Sequence, residues 1–299
     1  MISQEAKNVM NLMSMMKLPD AGELPIELCR QVLADMMSLS LPPAGCRFEP
    51  VNAGGPEALW VKAVSADDTA VILYLHGGGY AMGSPQTHAG FTGLLSELSR
   101  LSVLSVDYRL APENPYPAAI EDSLSAYCWL LRQGVSAESI VVGGDSAGGG
   151  LTFATMLKLK ERGEALPAAV FAVSPWVDLA VTGESIEINA ARDPMITRSG
   201  LDYMAGLYAG HADVRLPFIS PLYADLRGLP PVLIHVGTCE MLLSDSLRIA
   251  ASLENSGVDC TLRVWEDLFH VFHSVVSLPE AIMATEDIAA FVRNRVGGY

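Results

Sequence analysis

Several familiar signals are missing from this chain. Its five cysteines (Cys29, Cys46, Cys128, Cys239 and Cys260) are an odd number without a C-x-x-C pair, and no histidine cluster stands at zinc-ligand spacing. A disulfide framework and a structural zinc site are thereby excluded, and free buried thiols in a reduced, cytoplasmic setting are expected. Basic residues are scarce: 19 Lys and Arg stand against 34 Asp and Glu, for a formal charge of −15. So acidic a surface repels phosphate backbones and anionic membranes, which argues against nucleic acid and favours small neutral or cationic molecules as partners. No apolar run approaches the roughly 18 residues that a membrane span needs. The first twenty residues carry Glu5 and Lys7 inside their apolar stretch, with neither a basic leader nor a small-residue cleavage site, so no standard secretion signal is expected. Neither an internal repeat nor a low-complexity linker divides the chain.

What remains is rich in core-forming residues. Half of the 299 residues are hydrophobic, enough to fill one large α/β domain. From Arg47 onward strand and helix patterns alternate. FEPVNAG (48–54) and ALWVKAV (58–64) have strand character, and AVILYL (70–75) is a short apolar run ending in glycines, as a strand buried on both faces requires. Further strands are predicted at 101–108, 139–143, 169–174, 231–237 and 260–266. Helices are predicted at 91–100, 118–133, 147–162, 245–255 and 280–296. This alternation implies a mostly parallel sheet covered on both faces. Two segments break the rhythm. Residues 1–45 are Met-rich, with Val9, Met13 and Met16 on one helical face and Leu28, Val32 and Met36 on another; residues 178–218 separate two strands with mixed polar helix. Such stripes serve either as ordinary packing or as an adaptable apolar lid over the carboxyl edge of the sheet.

The chemistry is concentrated at Gly144-Asp145-Ser146-Ala147-Gly148, a G-x-S-x-G match. In a chain with 26 glycines the pattern arises by chance in roughly one case in five, so the spacing alone decides little. Context decides it: a strand precedes the match and a helix follows, as a nucleophile elbow requires. A tight strand–turn–helix projects the serine hydroxyl and leaves no room for side chains two positions either side. A phosphate-binding loop would need GK[ST] or G-x-G-x-x-G spacing, which is absent. His76-Gly77-Gly78-Gly79 follows the strand AVILYL and supplies a second set of bare N–H groups, of the kind that stabilise an oxyanion. The first residue of that run, His76, reads as a structural hydrogen-bonder. The order Ser…acid…His then requires a late carboxylate and a histidine near the end. Glu240 lies three residues beyond a strand, where a loop carboxylate can reach across; Asp245 reads as the N-cap of the next helix, and remains the alternative acid. His270 follows the last strand in a loop, whereas His273 begins or packs against helix. His235, inside a strand, reads as a satisfied core residue.

HGGGY (76–80), DYRLAPENPYPAA (107–119), GDSAGG (144–149), SPWVDL (174–179), SPLYADLRGLPPVLIHVG (220–237) and HVF (270–272) resemble, in order, the motifs of the hormone-sensitive-lipase-like family of α/β-hydrolases, the bacterial family IV esterases. The likeness runs from about Leu73 to Phe272. It implies an α/β-hydrolase fold with an eight-stranded sheet. A cap would be built from residues 1–45 and an insertion at about 178–218, and the catalytic domain would span 46–299. It implies hydrolysis of short-chain carboxylic esters without metal or organic cofactor. Ser146 matches the nucleophile, His270 the base, and Gly78, Gly79 and Ala147 the oxyanion donors. Homodimers formed through the last strand are a further implication. Asp107, Arg109 and Glu113 look like a network steadying the oxyanion loop. In one respect the sequence departs from the family: the acid is commonly an Asp followed by Pro-Leu, and here Glu240-Met241-Leu242 stands instead. An amidase or peptidase on the same scaffold, and a non-catalytic binding protein, are the competing readings.

Overall fold

In a computed structural model, residues 2–15 and 24–296 are described. Strand β3 (Asp67–Leu75) explains the two-sided core. Its Val71, Leu73 and Leu75 join one buried apolar cluster, while Ala70, Ile72 and Tyr74 join a second on the opposite face. Alternation at a period of two makes a continuous apolar run the right sequence for a strand covered on both sides. Around β3 one sheet of eight strands forms in the order β1 (Arg47–Asn52), β2 (Glu57–Lys62), β4 (Leu101–Asp107), β3, β5 (Ile140–Asp145), β6 (Ala169–Val173), β7 (Val232–Gly237) and β8 (Cys260–Trp265). Strands β1 and β2 enter antiparallel, and from β4 to β8 every neighbouring pair is parallel. Helices α3 (Ala89–Ser99) and α9 (Pro279–Val296) contribute Phe91, Leu95, Ile288 and Val292 to the Ile72 side. On the Leu73 side, α4 (Ala118–Arg132), α5 (Ala147–Arg162) and α8 (Leu243–Asn255) contribute Leu124, Leu151 and Ile249.

Every element predicted from residue 47 onward is present, with ends displaced by a few residues at most. Helix α5 has a legible end: Lys160 and Arg162 sit in its last turn and Gly163 closes it at φ 68°, a left-handed cap that glycine adopts without strain. Helix α8 corrects one expectation. It starts at Leu243, with Leu242 at its N-cap, so Asp245 lies inside the first turn and is not the cap.

In the two segments that break the rhythm, α1 (Gln4–Met15) and α2 (Ile26–Met37) precede the sheet, and α6 (Ser185–Ile188) and α7 (Arg198–Ala209) stand between β6 and β7. Met16 lies outside the described residues. On α2 the face turned inward carries Cys29, Val32, Leu33, Met36 and Met37, whereas Leu28, expected on that face, is exposed. Among the described residues no helix is long and apolar enough to cross a membrane. All five cysteines are unpaired.

Candidate active site

Parallel strands deliver their carboxyl ends to one edge, and that brings distant residues together. The glycine loop 76–79 leaves β3, Ser146 leaves β5, Glu240 follows β7 and His270 follows β8. At Ser146 the backbone takes φ 53°, ψ −121° as β5 turns into α5. A non-glycine residue there carries strain of about 1–3 kcal/mol, held by its surroundings. Ser146 N–H donates to Val173 O at 2.8 Å, while Ser146 O accepts from Trp176 N–H at 2.9 Å. The flanking glycines are demanded by space. A Cβ on Gly144 would stand 2.4 Å from Leu75 O, and one on Gly148 would stand 2.0 Å from the same oxygen.

Ser146 Oγ lies 3.0 Å from His270 Nε2, and His270 Nδ1 lies 2.9 Å from Glu240 Oε2. A carboxylate only accepts, so Nδ1 carries the proton and Nε2 is left to accept from the serine hydroxyl. The other oxygen of Glu240 accepts from Gly237 N–H at 2.5 Å and from Ser174 Oγ–H at 2.8 Å. The carboxylate is fully buried and held on both sides. Burial pushes the His270 imidazole down, but the Glu240 hydrogen bond and charge outweigh it, and the net shift is upward from 6.5.

Asp245 is turned elsewhere. Its Oδ2 accepts from Val177 and Asp178 N–H at 3.0 and 2.9 Å, and its Oδ1 meets Arg248 at 3.1 Å. Burial raises its carboxyl to about 7, against the opposing pull of Arg248. His273 is also directed away, with Nε2 3.1 Å from His235 Nδ1; His235 Nε2 in turn meets Asp287 at 3.1 Å. His76 stacks on Tyr108 with ring centroids 4.2 Å apart and donates from Nδ1 to Gly77 O at 2.8 Å. Burial drives its imidazole down to about 3, so it is a neutral strut.

A cavity of about 260 Å³ opens onto Ser146 and His270. Gly78 and Gly79 line it, while Ala147, the first residue of α5, heads a helix whose leading N–H groups have no intrahelical acceptor. Its walls are apolar: Leu33, Met36 and Met37 come from α2, and Met195, Leu201 and Met204 from the segment around α7. Among the described residues no group of His, Cys, Asp or Glu could hold a metal ion.

Two supports escaped the sequence. Asp145, the x of the elbow, is buried, and its Oδ1 accepts from Gly77 N–H at 2.9 Å and from the Tyr74 hydroxyl. Burial pushes that carboxyl up, but His88, whose Nε2 lies 3.5 Å away, and Tyr74 outweigh it, so the net shift is downward. The elbow thus clamps the glycine loop. An acidic residue closing a buried strand was the only local signal. The second support is Arg30 on α2, which donates to Ala81 O at 2.8 Å and Ala111 O at 2.9 Å and grips Glu113 with both terminal nitrogens. The expected network of Asp107, Arg109 and Glu113 is therefore wired differently. Arg109 turns to Asp122 and Glu121, and Glu113 serves Arg30. Each guanidinium follows the nearest carboxylate in space, which spacing along a loop does not reveal.

A family model described as the alpha/beta hydrolase fold matches residues 72–274. An acetyl-hydrolase of Streptomyces hygroscopicus is 40% identical over 261 residues, covering 87% of this chain and 86% of that protein. An esterase of Acinetobacter venetianus is 33% identical over 283 residues, 94% of this chain and 93% of its own. Among solved structures, an esterase of the bacterial hormone-sensitive lipase family superimposes with a TM-score of 0.95 at 39% identity, covering 99% of each chain. The esterase EstE5, in a crystal soaked with p-nitrophenyl butyrate, gives 0.95 at 38% identity over 98% of this chain and 99% of that one. Fold, motif order and these likenesses agree: the chain belongs to the alpha/beta hydrolase fold family, in its hormone-sensitive-lipase-like branch of carboxylic ester hydrolases.

Proposed function

We propose that the protein is a serine carboxylesterase acting on small neutral esters of short-chain acids through an acyl-enzyme. Ser146 attacks the ester carbonyl while His270 Nε2 takes its proton, and Glu240 holds the imidazole in the tautomer that leaves Nε2 free. The N–H groups of Gly78, Gly79 and Ala147 stabilise the oxyanion, each contributing about 2.7–4 kcal/mol in the transition state. His270 then protonates the departing alcohol, and water repeats the cycle to free the acid. The observation that carries this reading is the continuous line from Ser146 Oγ to His270 at 3.0 Å and from His270 to Glu240 at 2.9 Å.

The cavity supports the substrate class. Its 260 Å³ falls below the range of about 300–1,000 Å³ typical of drug-sized ligands, and among the described residues no Lys or Arg faces into it to pair with a charged substrate. Residues 1–45 and 178–218 act as the cap in this reading, since both contribute its apolar walls. A p-nitrophenyl ester series from acetate to palmitate, run beside matched anilides, tests the proposal. Turnover should peak at butyrate to hexanoate and be negligible on the anilides. A palmitate optimum overturns the short-chain assignment, and equal rates on anilides point to an amidase. A Ser146 that takes no fluorophosphonate label points to a binding protein.

A further inference from the structure

We propose that Asp193, on the segment after α6, is a positioning residue: its carboxylate ties the apolar wall of the pocket to the loop carrying Glu240. The inference rests on the reading of Ser146, Glu240 and His270 as the reacting groups. Asp193 is buried, with 1% of its surface exposed. Its Oδ1 accepts from Met195 and Ile196 N–H at 2.9 and 3.0 Å, folding the turn from which both side chains reach the cavity. Its Oδ2 accepts from Met241 N–H at 2.8 Å, one residue beyond Glu240. Asn189, equally buried, reinforces the joint by donating to Glu240 O at 2.7 Å and Thr238 O at 3.1 Å. Met241 supplies an N–H that a proline at this position would lack, and Asp193 takes it.

The charges that act on His270 come from three elements: Glu240 after β7, Asp193 after α6 and Asp145 at the end of β5. All three favour the imidazolium. Arg192 and Asp267, 3.7 Å apart, meet across the loop at Thr238 and Cys239. His270 must be neutral to accept a proton, so activity should climb with pH through a value above 6.5. Removing one negative charge lowers that value and moves the limb to lower pH.

Two variants separate bond from charge. In Asp193→Asn the remaining oxygen still serves Met195 and Ile196, while the amide faces Met241 N–H, so the link and the charge are both lost. Met241→Pro deletes the donor and keeps the charge. For Asp193→Asn, kcat should fall about tenfold with little change in KM, and the limb should move to lower pH, as should the NMR titration of the His270 imidazole. For Met241→Pro, kcat should fall severalfold with the limb in place. A folded Asp193→Asn with wild-type kcat and an unmoved His270 titration overturns the proposal. If Asp193→Asn does not fold, an unchanged kcat in Met241→Pro overturns it. Absence of ester turnover in the wild type would instead remove the reading of the triad, while the imidazole titration would still test Asp193.

Discussion

On the serine side of the pocket, the elbow is set by backbone against backbone. Gly144 and Gly148 press on Leu75 O and Ser146 is locked through Val173 and Trp176, while one side chain, Asp145, ties the elbow to the glycine loop through Gly77 N–H. On the acid side, positions are set by side chains from distant loops. Ser174 holds Glu240 across 66 residues, and Asp193 and Asn189 hold its loop across 48 and 51. A side built from main chain has no slack for an added atom. A side built from side chains has several adjustable members, and so can seat the longer arm of a glutamate as the acid.

The largest effect that could break this contrast is at the nucleophile. Ser146→Ala should lower kcat by about 10⁴–10⁶ with the thermal midpoint nearly unchanged, because the positive φ is held by neighbours and, among the described residues, the hydroxyl bonds only to His270. Ester turnover by the purified variant, with circular dichroism for the fold, checks it. Retention of more than a hundredth of the activity would mean that the elbow presents something other than the attacking group.

Next in size is the comparison of two buried carboxylates five positions apart. Glu240→Ala should reduce kcat by about 10³–10⁴, since the imidazole loses the partner that fixes its tautomer. Asp245→Ala should leave kcat within a few-fold and lower stability. It strands the N–H groups of Val177 and Asp178 in a buried site, at about 1–3 kcal/mol for each unsatisfied group. Kinetics and thermal melts of both variants read the two effects separately. The reverse ranking would make Asp245 the working acid and would erase the distinction between a triad member and a strut.

The same contrast explains what could be read in advance. Strand β3 and the elbow were legible because their determinants are local: a buried strand needs a continuous apolar run, and a sharp turn needs glycines at fixed offsets. Glu240 was preferred over Asp245 for its distance beyond β7, together with a cap reading of Asp245 that the structure corrects. Asp193, Asn189 and Arg30 were illegible because nothing in their own neighbourhoods marks them. Each is an ordinary polar residue whose decisive partners lie 48 to 83 positions away. Local rules also misled at Asp245, where an acidic residue near a helix start has the pattern of a cap. Leu243 already lies in the helix, which leaves the carboxylate to bind the loop after β6.

The smallest expected effect sharpens the contrast at Arg30, which joins α2 to the turn after the glycine loop and to residues 111–113. Its ion pair with Glu113 is partly solvent-exposed, with 53% of the glutamate side chain accessible, so the pair itself contributes at most about 1 kcal/mol. The greater constraint is the guanidinium fork on Ala81 O and Ala111 O, which sets the angle of α2 and with it the wall formed by Val32, Leu33 and Met36. Arg30→Ala should therefore raise KM severalfold, more for hexanoate than for acetate, with kcat nearly constant; Glu113→Gln should do less. A steady-state comparison across acyl lengths tests this. If kcat falls instead and KM holds, the fork acts through Ala81 on the glycine loop, and Arg30 belongs to the serine side, where backbone position governs the rate.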